Sequence, residues 1–183
     1  MFAPTQTVTL DDGSAIELVS VYSERPLALV FLRHAGCIFC REIVSSLKRF
    51  PEANVIFVAS ERAEECAAFR ERMASPHRFI SDPNRSLYEA FGLGRGGVGQ
   101  VLHPRVMRRG LEAMKSGVRQ GKPSGDPMAL GGAFVIDREG VVTWEHRSAD
   151  ISDNPCPQTI VEALARAQEG RVKSYPFAGI AQR

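Results

Sequence analysis

The pattern of apolar and polar residues alternates along the chain between two kinds of segment. Leu27–Leu32 and Val55–Ala59 are uninterrupted apolar runs, which are typical of strands buried on both faces. Between them, apolar residues recur at helical spacing from Phe39 to Phe50, and Pro51 then ends the predicted helix. This strand–helix–strand order indicates an α/β fold with parallel central strands.

The remaining pattern extends this alternation in both directions. A hairpin is predicted around Asp12-Gly13, over about residues 7–18, and a second one around the loop Asp137–Gly140. Further elements are expected as strands at Arg78–Ile80, Ala133–Ile136 and Val141–His146, and as helices from Glu61 with Ser60 as N-cap, at Leu87–Phe91 and at Thr159–Ala167. We therefore expect a mostly parallel sheet that ends in an antiparallel hairpin, with helices on both faces.

Length and charge restrict the function classes. The 183 residues fit one domain, 1–183, which is interrupted by a glycine-rich and partly helical insertion at about 94–127. A net charge of +2 gives no reason to expect nucleic acid as a partner, and no apolar run is long enough for a membrane span. Without a recognisable leader, the expected location is the cytoplasm, where thiols are kept reduced.

The chemistry suggested by the sequence centres on a pair of cysteines. Cys37 and Cys40 lie where the first buried strand gives way to a helix, at the sheet edge where α/β proteins place their sites. The N–H groups of a helix N-terminus favour a thiolate, and a two-residue spacing allows the second sulfur to reach the first. Arg33, His34 and Arg41 lie close in sequence and are expected to add positive potential. The spacing predicts a redox-active pair.

Other interpretations of these residues remain open at this stage. A zinc site needs four ligands, and the chain has no second Cys-x-x-Cys, so no metal is expected. The other alternative is a pair of inert cysteines. His34 is interpreted as a solvated loop histidine, and Cys66 as a core residue on a helical face. Cys156 is interpreted as a structural residue, with a resolving or regulatory role as the alternative.

Several stretches resemble the peroxiredoxin-like AhpC/TSA family of the thioredoxin superfamily, in the branch that contains prostamide/prostaglandin F synthase. They are Phe31–Glu42 around the cysteines, Asp82–Tyr88, Gln120–Pro127, Leu130–Asp137 and Trp144–Arg147. The resemblance implies a thioredoxin-like fold and thiol-dependent reduction of peroxides or endoperoxides without a bound cofactor. It also implies a thioredoxin-like electron donor and is compatible with a homodimer.

The resemblance also suggests which residues support the cysteines. Gly131 and Gly132 occupy the position where thioredoxins carry a cis-proline, and as glycines they are expected to let backbone approach the sulfur atoms closely. Arg147 closes the last matching stretch. If Cys40 were aligned with the peroxidatic cysteine of typical peroxiredoxins, Cys37 would fall on their threonine and Arg33 on their proline. The helix position instead favours Cys37 as the attacking sulfur, because Cys37 lies nearer the helix start and is expected to be more accessible.

The expected function is therefore that of a thiol-dependent oxidoreductase. Cys37 attacks a peroxide, Cys40 resolves the product to a disulfide, and an external dithiol reduces that disulfide. The alternatives are a protein-disulfide reductase and a thioredoxin-like binding module that senses redox state without turnover. For the basic insertion there are two interpretations: a solvated helix face, or a lid with Val101, Val106 and Leu111 at an apolar entrance and arginines that attract an anionic substrate.

Overall fold

The computed structural model describes residues 1–95, 97, 104–115 and 128–170. The strands are β1 (Thr7–Leu10), β2 (Ala15–Glu17), β3 (Leu27–Phe31), β4 (Val55–Ala59), β5 (Arg78–Ser81), β6 (Gly132–Ile136) and β7 (Val142–Arg147). The helices are α1 (Leu18–Tyr22), α2 (Ile38–Leu47), α3 (Ala63–Met73), α4 (Ser86–Ala90), α5 (Pro104–Lys115) and α6 (Pro157–Gln168). Residues of the predicted insertion other than 94, 95, 97 and 104–115 lie outside this description.

The seven strands form one sheet in the order β2-β1-β5-β4-β3-β6-β7. The central strands β3 and β4 are the two apolar runs of the sequence, and every residue of both is buried. They pair in parallel, from Ala28 opposite Val55 to Phe31 opposite Val58. Their carboxyl ends therefore meet at one edge of the sheet.

The thioredoxin-like class predicted for the sheet is confirmed, but the expectation that most strands run parallel is wrong. Of the six strand pairings in the described residues, only β3 with β4 and β4 with β5 are parallel. β6 runs antiparallel to β3, and the β1–β2 hairpin adds an antiparallel edge beside β5. All five residues of β6 are buried, so its apolar pattern is the same as that of a parallel strand and does not encode direction.

Helices cover both faces of the sheet, as predicted. One core lies between the sheet and helices α2, α3 and α6, with Val106 of α5 at its border. The other core lies between the sheet and helices α1 and α4. Successive residues of β3 alternate between them, because adjacent side chains of a strand point to opposite faces.

One local prediction is wrong for a reason of tertiary contact, and one short helix was not predicted. Helix α3 begins at Ala63 with Arg62 as N-cap, rather than at Glu61 with Ser60 as N-cap. The side chain of Glu61 is turned inward and accepts the N–H of Ala35, so it is not available to start a helix. The chain after β2 also continues into the short helix α1, where the sequence indicated only the end of a hairpin.

The two glycines that precede and open β6 permit unusually close strand contacts. A methyl group at Gly131 would lie 2.6 Å from the carbonyl oxygen of Phe31, and one at Gly132 would lie 2.8 Å from that of His146. The sequence suggested that these glycines let backbone approach the sulfur atoms. The atoms nearest to either position instead belong to neighbouring strands and to Leu93, Phe134 and Ser148.

We predict that Gly131→Ala lowers the free energy of unfolding by roughly 1–3 kcal/mol, because the added methyl group overlaps a backbone oxygen that is fixed in the sheet. Urea denaturation followed by circular dichroism would measure the change. Gly94→Ala is the matched control, since nothing lies within 4 Å of a methyl group at Gly94. Equal stabilities for the two variants would contradict the prediction.

Candidate active site

The ends of β3 and β4 bring several polar residues together in front of helix α2. Arg33 and His34 follow β3, and Glu61 lies two residues beyond β4. The buried hydroxyl of Tyr88 donates to the carbonyl oxygens of Leu32 and Val58, at 2.6 and 3.0 Å. The two strand ends are therefore fixed relative to each other at the point where the cysteine-bearing segment begins.

Cys37 is the N-cap of helix α2, and Cys40 lies in the first turn of the same helix. Both are buried free thiols. A hydrogen bond from the Cys40 thiol, the charge of Arg33 and the backbone N–H groups of Cys40 and Phe39 lower the pKa of Cys37 to about 6, against the opposing effect of burial. Cys37 is thus the sulfur that carries negative charge near neutral pH.

The neighbouring sulfur of Cys40 has the opposite character. Burial raises the pKa of the Cys40 thiol, and the hydrogen bond to Cys37 acts in the same direction. The backbone N–H of Arg33 donates to its Sγ at 3.2 Å. The expected difference in access between the two cysteines is not present, because Cys37 is 3% exposed and Cys40 is 4% exposed. The two thiols differ in ionisation rather than in exposure.

The guanidinium of Arg33 contacts the sulfur of Cys37. Its Nη1 lies 3.3 Å from the Sγ of Cys37, and its Nε donates to the carbonyl oxygen of Ala129 at 2.8 Å. The residue is buried, so its interaction with a thiolate is screened less than it would be in water. The segment before β6 therefore fixes the guanidinium against Cys37.

The structure distributes the other predicted supporting residues over different places. Arg41 lies one turn into α2, and its backbone N–H donates to the carbonyl oxygen of Cys37. Arg147 donates to the carbonyl oxygens of Phe91 and Gly92 and stacks over a phenylalanine ring of the α4-side core. These contacts assign Arg147 to the packing of the opposite face.

Two residues of the site were missed by sequence reasoning. His34 is 4% exposed rather than solvated, and its Nδ1 is buried without a hydrogen-bond partner in the described part of the chain. Burial and the charge of Arg33 lower the pKa of His34 to about 4, so its imidazole is neutral at pH 7. Glu61 accepts the N–H of Ala35 at 2.6 Å and thereby holds the turn that leads to Cys37. Its position after a buried strand was the only available signal.

Helix α5 and the loop before α6 flank the N-terminal turn of α2. A methyl group at Gly110 would lie 3.7 Å from the Cζ of Phe39, and Arg109 pairs with Glu42 at 3.6 Å. On the other side, the side-chain amide of Asn154 donates to the carbonyl oxygen of Phe39 at 2.7 Å. Val106 is buried in the core and does not line an entrance, which corrects one element of the predicted lid; Val101 lies outside the described residues.

The remaining cysteines occupy different environments. Cys66 is buried beside Phe69, as predicted, and burial raises the pKa of its thiol to about 12. Cys156 is exposed at the N-cap of α6. Within the described residues, no group of three or more potential ligands among His, Cys, Asp and Glu could hold a metal ion. No helix among those residues is long and apolar enough to cross a membrane.

Comparison with known proteins gives a family. The model of the AhpC/TSA antioxidant enzyme family matches residues 41–150, which is more than half of the chain. The chain belongs to this family. The match begins directly after Cys40, so the cysteine pair itself lies outside the matched residues.

Relatives of this AhpC/TSA family member are distant in sequence. The chain is 26% identical over 169 residues to human peroxiredoxin-like 2C, covering 83% of this chain and 74% of the relative. It is 28% identical over 162 residues to prostamide/prostaglandin F synthase of Xenopus tropicalis, covering 83% and 80%.

Solved structures show the same fold. Peroxidoxin BcpB from Mycobacterium tuberculosis aligns with a TM-score of 0.65 at 16% identity, covering 93% of this chain and 96% of the other. The thiol peroxidase from Chromobacterium violaceum aligns with a TM-score of 0.59 at 20% identity, covering 93% and 86%. The thioredoxin-like architecture is thus shared with peroxiredoxins.

We predict that brief alkylation of the reduced protein at about pH 6.5 labels Cys37 ahead of the other cysteines, because only the thiolate reacts and the pKa of Cys37 is lowered to about 6. Peptide mapping by mass spectrometry would identify the labelled residue. Cys156 provides an internal reference for an exposed thiol. Faster labelling of Cys40 than of Cys37 would reverse the assignment.

A second prediction concerns Arg33. Arg33→Met should raise the pKa of Cys37 towards its ordinary range, because the variant removes the charge 3.3 Å from the sulfur. Thiolate absorbance of the Cys156→Ser background, followed against pH, would report this shift, since the raised pKa of Cys66 keeps that thiol silent. Arg41→Met is the matched control for loss of a nearby positive charge. An equal shift of the Cys37 pKa in both variants would show that Arg33 has no specific effect on this thiol.

Proposed function

We propose that the protein is a thiol-dependent reductase of peroxides in which Cys37 is the attacking sulfur and Cys40 the resolving one. The observation that carries the proposal is the unequal ionisation of two adjacent thiols, with the guanidinium of Arg33 against the more acidic of them. Membership of an antioxidant enzyme family supports thiol oxidoreductase chemistry in general.

The first step is attack of the Cys37 thiolate on an O–O bond. The outer oxygen of the peroxide is transferred to sulfur as a sulfenic acid, and the leaving alkoxide takes a proton to become an alcohol. The geometry favours this step because a positive charge lies next to the sulfur where the peroxide must bind. Arg33 is thus suited both to stabilise the thiolate and to polarise the O–O bond.

The second step is resolution by Cys40. Cys40 gives up its proton and attacks the sulfenic sulfur as a thiolate, a disulfide forms between Cys37 and Cys40, and the sulfenic hydroxyl leaves with a proton as water. The raised pKa of the Cys40 thiol keeps it protonated until the sulfenic acid is present. An external dithiol then returns two electrons by thiol–disulfide exchange, which restores both thiols.

Two other functions use the same pair. A protein-disulfide reductase would apply Cys37 to an S–S bond, and its Cys-x-x-Cys at a helix N-terminus is equally suited to that reaction. A redox-sensing module would be oxidised once and would not turn over. The peroxidase is preferred because the family to which the chain belongs is that of antioxidant enzymes.

We predict that one equivalent of hydrogen peroxide lowers the mass of the reduced protein by about two units through a Cys37–Cys40 disulfide. Intact-mass measurement and peptide mapping would locate the bond. Cys40→Ser should instead accumulate a sulfenic acid on Cys37 that dimedone traps. An unchanged pair in the wild-type protein, or dioxidation of Cys37 alone, would contradict the scheme.

Steady turnover separates an enzyme from a sensor. With peroxide, thioredoxin, thioredoxin reductase and NADPH, we expect continuous NADPH oxidation that is lost in Cys37→Ser and retained in Cys156→Ser, because only the first variant removes the attacking sulfur. A single stoichiometric burst would favour the sensor. Turnover with a small disulfide but not with any peroxide would favour the disulfide reductase.

A further inference from the structure

Helix α5 carries an exposed apolar stripe that the fold leaves uncovered. Met107, Leu111 and Met114 are 72%, 54% and 53% exposed, and their spacing of four and then three residues places them on one flank of the helix. They make up half of the large apolar residues that are exposed in the described part of the chain. Flexible methionines at such a surface are typical of sites that accommodate protein partners.

The helix that carries the stripe packs against the first turn of helix α2. Gly110, on the buried side of α5, packs against Phe39, which lies between the two cysteines. Arg109 reaches Glu42, which lies further along α2 than Phe39. At 100° per residue, the stripe lies on the flank opposite Arg109. The helix that carries the stripe therefore packs on the turn of α2 that holds both cysteines.

The exposed residues beside the stripe are mostly basic. Arg108 and Lys115 are exposed on one side of it, together with the acidic Glu112. Arg108 is 75% exposed, and its contact with Glu112 at 3.7 Å is a solvent-exposed pair of little energetic weight. A protein that docks on the stripe is therefore favoured if it carries acidic residues around an apolar centre.

We propose that the stripe of Met107, Leu111 and Met114 is the docking surface for the protein dithiol that reduces the Cys37–Cys40 disulfide. The inference rests on the proposed function, because it requires that disulfide to form. Both cysteines are almost fully buried, so a macromolecular thiol reaches them only by seating on the surface that borders them. A bilayer or a second copy of the chain could also cover apolar residues, but the reaction requires a dithiol, which a bilayer does not supply.

The exchange on this surface balances without a further reagent. A thiolate of the partner attacks the Sγ of Cys37, the Cys37–Cys40 bond breaks, and Cys40 leaves as a thiolate that takes up a proton. A mixed disulfide joins the partner to Cys37. The second thiol of the partner, as a thiolate, then attacks the partner's sulfur in the mixed disulfide. The partner leaves as an intramolecular disulfide, and Cys37 is released as a thiolate.

The test compares protein reductants with a small one. Met107→Gln, Leu111→Gln and Met114→Gln are combined, and kcat/KM is measured for thioredoxin, for glutaredoxin and for dithiothreitol at fixed peroxide. We expect a fall of about tenfold for the protein reductant that supports turnover, as for loss of interface anchors, and no change for dithiothreitol. Arg108→Glu should reduce the same rate for the protein reductant in a salt-dependent manner.

Phe2→Gln is the matched control. Phe2 is 75% exposed, but it bridges to Val141 at the end of the sheet opposite the cysteines, so its variant should behave as wild type. Absence of turnover with every reductant would refute the proposed function itself. Turnover with dithiothreitol and wild-type kinetics of the stripe variant with protein reductants would refute only the docking surface.

Three further outcomes would also overturn the docking surface. One is turnover with dithiothreitol but with neither protein reductant. Another is loss of a dimer in the stripe variant, detected by size-exclusion chromatography with light scattering, while its reductant kinetics stay unchanged. The last is loss of binding to vesicles of phosphatidylglycerol and phosphatidylcholine, again with unchanged reductant kinetics.

Discussion

Arg33 contacts both sulfur atoms of the candidate site, Cys40 through its backbone N–H and Cys37 through its guanidinium. This is possible because the residue lies two positions beyond the buried strand β3, in the turn that leads to helix α2. The guanidinium is also bound to the carbonyl oxygen of Ala129, in the segment before β6. One residue thus connects strand, helix and the neighbouring segment, and its charge adds to the hydrogen bond from the Cys40 thiol in lowering the pKa of Cys37.

Much of the frame that holds these groups is encoded locally. Apolar runs predict strands at Leu27–Leu32 and Val55–Ala59, and turn residues predict a hairpin at Asp12-Gly13. The structure has strands and a hairpin at these positions. Cys37 falls on the N-cap because a small-residue turn separates the strand from the helix. The position of the pair at the sheet edge was therefore predictable from the sequence.

What the sequence did not reveal depends on contacts between distant segments. The sequence predicts a solvated loop histidine at position 34, but His34 is buried where the ends of β3 and β4 come together. The sequence predicts Glu61 as the first residue of a helix, but its carboxylate accepts the N–H of Ala35, which is 26 residues away. Strand direction is likewise hidden, because Gly132–Ile136 is buried throughout as a parallel strand would be. The burial of His34, the role of Glu61 and the direction of β6 are all set by residues that become neighbours only in the folded chain.

The hydroxyl of Tyr88 links the stability of one face to the chemistry of the other. Its ring packs in the core between the sheet and α4, and the Cζ of Arg85 lies 4.2 Å from the centre of the ring. Its oxygen is hydrogen-bonded to the carbonyl oxygens at the ends of β3 and β4, close to the cysteine-bearing segment. Local opening of the short helix α4 would break this bridge at a lower free energy than global unfolding. The carbonyl oxygens of Leu32 and Val58 would then lose their shared partner while most of the sheet remained intact. By thermodynamic reciprocity, any change in the pair that favours the aligned strand ends also protects α4 from opening.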